Sequence, residues 1–524
     1  MQKIHQLLEA RAAHTPEAVF LFEPAGTTTY AALQSMVDAA TRDLLAAGVR
    51  PTDRVVLVAE NCAAHIALLM ACSRVGAWSC GVNARMSPGE ITAIAERADA
   101  RLCYFTTGVS EAAEKHAQRA GAEPSALEGV MRSAVRAEAR TEPDPALADT
   151  AAIIFTSGTS GTPKGVMVSH RGLLHFGRVS AQVRALSERD RAYAFLPMTH
   201  IFGIGTVLMA ALTGGAALVL RGSFSPADML QALAHEQVSN LLGPPTMYAR
   251  LLAHIEAEGV APRFPQLRYV YTGSAPLDPA LKQRVEQLFG QPLHYGYGLS
   301  EYAGSVFLTR TESPRADTSA GYAVEGGEAR IVTLDGSDAA PGDTGEIWLR
   351  GPGLMLGYFR DAAATAQVMR PGGWYATGDL GRFGSDGALF VVGRLKEMII
   401  RSGFNVYPAE IEAVIGRFDG VHLCAVVGVP EADGNEQVVA FVELKPGAVL
   451  DEAALRVHLV EHLSPYKRPT RIEVIDAMPT TANGKLLKRE LQARCTPFRT
   501  FPTGGRGHRR HAPTPAPGVG HDTC

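Results

Sequence analysis

Residues 155–170 read Phe-Thr-Ser-Gly-Thr-Ser-Gly-Thr-Pro-Lys-Gly-Val-Met-Val-Ser-His. Three glycines, five hydroxyl residues and one lysine fall between Thr156 and Val166, and the apolar run Ala151–Phe155 leads into them. This is the pattern of a strand feeding a phosphate-gripping loop: glycines let the backbone approach an oxyanion, hydroxyls donate hydrogen bonds, and the lysine adds charge. A polar turn of similar composition is common between elements; the lysine sets this one apart. It is not a Walker A loop, which ends in Gly-Lys-Ser/Thr, because Pro163 precedes Lys164 and Gly165 follows it.

A chain of 524 residues is too long for one ordinary core, so at least two domains are expected. A hydrophobic fraction of 46% with 20% charged residues is globular, and a net charge of −3 weighs against nucleic acid as the main partner. The seven cysteines form no CxxC pair and read as reduced cytosolic thiols. The charged start MQKIHQLLEARAAHTPE is no signal peptide, so a cytoplasmic protein is expected. The uncharged stretch Ile201–Leu220 has the length of a membrane span. Thr213-Gly214-Gly215 breaks it, and helix, turn and buried strand is the expected form.

The first half alternates strands with helices. Arg54–Ala59, Ala216–Leu220 and Tyr269–Tyr271 are expected strands; Ala63–Val75 and Ala280–Leu288 are expected helices. That alternation implies an α/β class with mostly parallel, helix-covered sheets. From about residue 321 to 393 short strands (Ala329–Thr333, Glu346–Arg350, Leu389–Val391) separated by Gly/Asp turns predict a β-rich subdomain of a large N-terminal domain, residues 1–393. Residues 394–396 read as a charged interdomain linker. Residues 397–495 read as a small α+β domain, with helices Ala409–Gly416 and Glu452–Leu463 and strands Cys424–Val429, Val438–Leu444 and Arg471–Ile475. Residues 496–524, rich in Pro, Gly, Arg and His, lack the aliphatics to order themselves.

The loop has companions. Tyr271-Thr272-Gly273-Ser274-Ala275-Pro276-Leu277 is followed by Tyr295-Gly296-Tyr297-Gly298-Leu299-Ser300-Glu301, which combines an aromatic, a hydroxyl and a carboxylate able to hold Mg²⁺ beside phosphates. In Trp374-Tyr375-Ala376-Thr377-Gly378-Asp379-Leu380 the carboxylate suits a ribose diol. Gly393-Arg394-Leu395-Lys396 and Pro479-Thr480-Thr481-Ala482-Asn483-Gly484-Lys485 follow. Each alone is also an ordinary turn or linker.

Together and in this order, these motifs resemble the adenylate-forming superfamily in its acyl-CoA synthetase branch, from near the N-terminus to about residue 494. The resemblance implies ATP-dependent activation of a carboxylic acid to acyl-AMP, then thioester formation with CoA. It implies that Thr156, Ser157, Gly158, Thr159, Ser160, Gly161, Thr162 and Lys164 grip phosphate, and that Gly273, Ser274, Ala275 and Pro276 lie by the adenine. Tyr295, Gly296, Tyr297, Gly298 and Ser300 complete the nucleotide site, with Ser300 standing where the family has Thr. Asp379 binds the ribose, assisted by Arg394; Glu301 and Thr156 hold Mg²⁺. Lys485 is the catalytic lysine, working with Lys164 and Glu301, while His200 is either a gate of the acid pocket or a structural histidine. Lys396 is the hinge pivot, and Gly403, Phe404 and Asn405 serve CoA. His200, Phe202, Gly203, Tyr271, Ala303 and Gly304 wall the acyl pocket. ATP, CoA and a small carboxylic acid are thus the expected partners, with no nucleic acid and no integral membrane segment.

The segment Met198–Phe202 lacks the aspartate of amino-acid-activating relatives. Arg250 is a candidate for a second carboxylate, as in malonate-type ligases, or an ordinary solvated helix arginine. An enzyme loading a carrier protein and a non-catalytic nucleotide-binding protein are the alternatives. No carrier-like segment follows the C-terminal domain, and the array of charged residues argues against degeneration.

Overall fold

The computed structural model describes residues 2–156, 163–401, 404–431, 435–480 and 486–495. These described residues build two large sheets with parallel centres and antiparallel edges. In the first, the spatial order is Tyr322–Ala323, Gly304–Leu308, Leu293–Leu299, Tyr269–Thr272, Asn240–Gly243, Arg191–Ala194, Ala217–Leu220, Val19–Glu23 and Gly26–Thr29. From Leu293–Leu299 to Val19–Glu23 every neighbour is parallel, and the outer strands turn back antiparallel. In the second, Leu102–Phe105, Arg54–Ala59, Trp78–Asn83 and Thr150–Thr156 run parallel.

The helices follow their sequence cues. Ser87 and Glu90 form a reciprocal capping box on Pro88–Arg97, Ser169 caps His170–Val183, and Asp278 caps Pro279–Phe289. Strand Arg54–Ala59 is buried along its whole length, which is why it reads as an unbroken apolar run after Arg54. Burial of each of its valines contributes about 1.5–3 kcal/mol. Arg54 itself is fully buried and donates to the carbonyls of Thr52, Ala98 and Asp99, with the Asp99 carboxylate 3.1 Å away.

Ile201–Leu220 is a π-helical segment Phe202–Met209, helix Ala210–Gly214, a left-handed Gly215 and strand Ala217–Leu220. Among the described residues no helix is long and apolar enough to cross a membrane. The strand begins one residue later than expected, because Ala216 follows directly on the left-handed Gly215.

Beyond these sheets lies an antiparallel one in which Trp374–Phe383 pairs with Gly345–Arg350, Met369–Arg370 and Leu389–Arg394. Strand Tyr322–Ala323, at the start of the region read as β-rich, instead pairs with Gly304–Leu308 at the edge of the first sheet. The apolar clusters of all this part end by Leu389, and separate clusters begin at Ile399. The latter hold a small α+β unit: strands Val421–Pro430, Glu436–Leu444 and Arg471–Val474 with helices Pro408–Ile415, Glu452–His462 and Lys488–Cys495.

Candidate functional site

Thr150–Thr156 and Lys164–Ser169 are antiparallel neighbours, with Thr156 opposite Lys164. The glycine-rich segment therefore joins two strands of one hairpin, whereas a Walker loop joins a strand to a helix. Ser157, Gly158, Thr159, Ser160, Gly161 and Thr162 lie outside the described residues. Lys164 is fixed from the second strand, its Nζ 4.8 Å from the centre of the Tyr358 ring. Tyr358 is tied to the same hairpin: Val166 bridges it, and the Phe359 N–H donates to the Gly165 carbonyl at 2.7 Å.

Tyr358 also reaches the carboxylate singled out for metal. Its hydroxyl donates to Glu301 Oε1 at 3.0 Å, and the Met355 N–H donates to the Glu301 carbonyl at 2.8 Å. Glu301 sits in the single turn Ser300–Tyr302 that ends strand Leu293–Leu299. Burial pushes its carboxyl above the ordinary range, partly offset by the Tyr358 hydroxyl. Burial and the neighbouring Glu301 likewise push the Tyr375 phenol far up. Among the described residues no three His, Cys, Asp or Glu side chains converge. A single carboxylate fits Mg²⁺, which keeps waters and takes further ligands from phosphates. Thr156, the other metal candidate, is near the hairpin end, its hydroxyl 3.5 Å from the Lys164 carbonyl.

Four residues before Glu301, Tyr297 is buried and donates to Asp379 Oδ2 at 2.7 Å. Arg394 Nε stands 3.1 Å from Asp379 Oδ1, since the two residues face each other across adjacent strands. A strand, its terminal turn and a β-ribbon thus place Tyr297, Glu301, Asp379 and Arg394 in one cluster. The small residues make this close approach possible. A Cβ on Gly298 would fall 2.2 Å from the Gly304 carbonyl oxygen, and one on Gly296 would fall 2.5 Å from the Tyr271 hydroxyl. Tyr295 donates to the Ala275 carbonyl at 3.1 Å and so ties down the Gly273-Ser274-Ala275-Pro276 turn, where Ser274 has a φ of 71°.

The apolar wall also comes together. The rings of Phe202 and Tyr271 meet edge to face at 6.0 Å, and the Tyr271 hydroxyl lies 3.2 Å from Ser305 Oγ. Gly203 packs so close that a Cβ would sit 2.2 Å from the Pro197 oxygen, and a Cβ on Gly304 would strike the Phe176 ring. Ala303 has a φ of 55°, which turns the chain from Ser300–Tyr302 into the next strand. His200 is partly buried, its Nδ1 accepting from the Phe202 N–H at 3.3 Å. Arg250 is exposed and its guanidinium lies 5.0 Å from the Phe224 ring centre, the solvated arrangement of the two open for it.

Lys396, expected as the pivot, is exposed in the turn Leu395–Glu397. Phe404 and Asn405 are exposed on the ribbon Ile399–Arg401/Phe404–Val406, with Phe404 stacked on Tyr466 at 4.4 Å. Asn405 lines a cleft with Leu395, Met398, Tyr407 and the β-rich residues Leu334 and Glu346. Gly403 and Lys485 lie outside the described residues, as does 496–524; Thr480 and Leu486, flanking Lys485, are bridged antiparallel.

Two residues that matter to this geometry carried no local signal. Tyr358 links Lys164 to Glu301 from far along the chain. Asn61, buried, accepts from the Met198 N–H and donates to the Leu196 carbonyl, pinning the segment that leads to His200. Only Gly357 before Tyr358, at a φ of 131°, hints that the backbone there is held for a purpose.

The AMP-binding enzyme family model matches residues 8–359, and that of the AMP-binding enzyme C-terminal domain matches 410–485. The chain is 34% identical over 481 residues to a 3-[(3aS,4S,7aS)-7a-methyl-1,5-dioxo-octahydro-1H-inden-4-yl]propanoyl:CoA ligase of Mycobacterium tuberculosis, covering 88% of this chain and 92% of that one. It is 34% identical over 489 residues to a feruloyl-CoA synthase of Amycolatopsis, covering 92% and 97%. ATP-bound MatB from Rhodopseudomonas palustris superposes with a TM-score of 0.81 at 27% identity, covering 94% of this chain and 99% of that one.

Proposed function

The chain belongs to the AMP-binding enzyme family, and on that premise we propose how its own residues divide the reaction. It is an AMP-forming acid–thiol ligase of the acyl-CoA branch. A carboxylate oxygen attacks the α-phosphorus of ATP and pyrophosphate leaves. The CoA sulfur then attacks the acyl carbon, and the bond to AMP breaks.

The observation that carries the division of labour is the cluster on strand Leu293–Leu299 and its terminal turn. Tyr297 holds Asp379, already paired with Arg394, while Glu301 is held by Tyr358 beside Lys164. Asp379 accepts from the ribose hydroxyls. Its second oxygen stays on Arg394, so the carboxylate is oriented before the nucleotide arrives. Lys164 faces the phosphates and screens their charge while the acid's carboxylate approaches, and Lys485 supplies the second positive charge. Glu301, with Thr156, takes Mg²⁺, which when bound neutralises phosphate charge. The acid's body lies against Phe202, Gly203, Tyr271, Ala303 and Gly304. The Met198–Phe202 segment offers no carboxylate for an α-ammonium, which supports an acyl or aryl acid over an amino acid. Asn405, on the cleft beside the Leu395–Glu397 turn, is the candidate contact for the pantetheine arm, and rotation at Lys396 exchanges it for Lys485 between the two steps.

The test is a panel of carboxylic acids scored by AMP release with ATP, Mg²⁺ and CoA. Release that depends on both acid and CoA is expected. AMP or pyrophosphate formation that requires a carrier protein, with CoA inert, would replace CoA as the acceptor.

A further inference from the structure

The segment that brings Tyr358 to Lys164 and Glu301 lies along the phosphate hairpin. The Met167 N–H donates to the Gly357 carbonyl at 3.0 Å, the Leu356 N–H donates to the Met167 carbonyl at 3.0 Å, and Val166 bridges Tyr358. The chain then turns at once. The Asp361 N–H donates back to the Tyr358 carbonyl at 3.2 Å, and Asp361 caps helix Ala362–Val368 through the Ala364 N–H. Arg360, inside this turn, has a φ of 48°. That left-handed conformation suits glycine or asparagine and costs other residues about 1–2 kcal/mol. An arginine kept there points to a use for its side chain.

The Arg360 guanidinium spans two carboxylates from distant parts of the chain. Its Nε and Nη2 meet Glu142 Oε1 at 2.8 and 2.7 Å, and its Nη1 meets Asp99 Oδ2 at 3.0 Å. Asp99 follows helix Pro88–Arg97, and Glu142 lies on the stretch leading to strand Thr150–Thr156. Arg97 adds a contact to Asp361 at 3.3 Å. The two carboxylate side chains are only 17% and 14% exposed, so water screens them little. Three charge-assisted N–H contacts in such a setting fix geometry as a solvated surface pair does not. Both carboxylates also face the buried Arg54, at 3.1 Å from Asp99 and 3.8 Å from Glu142. Loss of Arg360 therefore leaves neither of them without a countercharge, and the fold should survive it.

We propose that Arg360 is a positioning residue for the phosphate end of the site. Held by Asp99 and Glu142, it fixes the turn Tyr358–Asp361, and through that turn the Tyr358 ring beneath Lys164 and the Tyr358 hydroxyl on Glu301. The proposal rests on the ligase reading above, in which Lys164 and Glu301 serve the nucleotide phosphates and their metal.

The experiment uses the full-length enzyme with ATP, Mg²⁺ and an acid that the wild type activates. Pyrophosphate exchange reads the first step, and thioester formation from supplied acyl-adenylate and CoA reads the second. Arg360→Gly keeps the left-handed backbone and removes the side chain. Its kcat/KM for ATP in exchange is expected to fall about 10-fold, short of the roughly 10² that misplacing a group by an ångström costs, while the second step stays within about twofold. In a Tyr358→Ala background the same glycine change is expected to add less than about twofold, because the tyrosine it would misplace is gone. Arg360→Lys, able to meet one carboxylate but not both, should fall between the wild type and the glycine variant.

Exchange at the wild-type rate in Arg360→Gly overturns the proposal and leaves the ligase reading standing: the backbone pairs of Tyr358 and the buried Phe359 then hold the turn unaided. Equal loss in both steps also overturns it, assigning Arg360 to the stability of the whole. An undiminished cost in the Tyr358→Ala background overturns it by routing the effect elsewhere. Should the glycine variant fail to fold, Arg360→Lys decides by the same split between the two steps. A wild type that exchanges pyrophosphate with no acid overturns both the ligase reading and the proposal.

Discussion

Two guanidiniums of this chain sit in opposite circumstances. Arg394 meets a carboxylate, Asp379, at 3.1 Å, and that carboxylate is shared with the buried Tyr297 hydroxyl. Arg184, more deeply enclosed, meets only the oxygens of Ser180 and Thr206. The first charge is neutralised within the protein, so the pair stands ready for the ribose role proposed for it. The second meets no carboxylate among the described residues, and its donors go to neutral oxygens that tie a helix end to the π-helical segment. The pair proposed to serve the nucleotide is thus held within the protein, whereas the enclosed arginine serves the packing of a helix end.

The contrast breaks most visibly if Asp379 is removed. Asp379→Ala takes the carboxylate partner from Arg394 and strips the proposed ribose acceptor. A loss of about 10²–10³-fold in kcat/KM for ATP is expected, on the scale of one preorganised electrostatic group. Asp379→Asn keeps an oxygen for Tyr297 and should lose less. Pyrophosphate exchange at varied ATP measures both, and wild-type rates in each would show that the pair has no part in nucleotide binding.

Glu301→Gln probes the neighbouring carboxylate. It retains an acceptor for the Tyr358 hydroxyl, so the fold should hold. The loss of charge should lower adenylation by about 10²-fold, the scale of one preorganised electrostatic group. A Mg²⁺ titration separates roles: the apparent KM for the metal should rise with the acid's KM little changed. An unaltered Mg²⁺ dependence would move the metal elsewhere.

The same contrast explains what the sequence could disclose. Arg54–Ala59 and Ala63–Val75 have the bounds read from their patterns. A strand buried along its whole length and a helix stopped by the left-handed Gly76 write their limits locally. The C-terminal strands were legible in place but short at their ends: Cys424–Val429 extends to Val421–Pro430, because ladder pairing with Glu436–Leu444 prolongs it past the apolar residues. The motif residues stood out because phosphate chemistry demands particular types at close spacing. Tyr297 and Asp379, 82 positions apart, share a bond that no local pattern announces. Nor does Arg184 stand out in Gln-Val-Arg-Ala-Leu, where it reads as a helix-end arginine bound for solvent. Its burial arises only when a helix, a π-turn and a sheet from separate parts of the chain close over it.

Tyr358→Phe gives the smallest and most informative effect. The hydroxyl donates to Glu301 Oε1 at 3.0 Å, and its ring underlies Lys164. Phenylalanine keeps the ring, so Lys164 should hold its place and kcat at optimal pH should fall only a few-fold, about the net worth of one ordinary hydrogen bond. The change belongs to pH. Burial raises the Glu301 carboxyl, and the Tyr358 hydroxyl pulls it back down by favouring the charged form. Removing that donor therefore raises the carboxyl further. Glu301 must be ionised to hold a cation, so activity disappears as pH falls through its pKa, and the acidic limb of kcat/KM should move to higher pH in Tyr358→Phe. Raising Mg²⁺ should move the limb back, since metal and proton compete for one carboxylate. A limb that stays in place would mean that the titrating group is not Glu301. A limb that shifts but ignores Mg²⁺ would keep Tyr358 as its electrostatic partner and take the metal away from it.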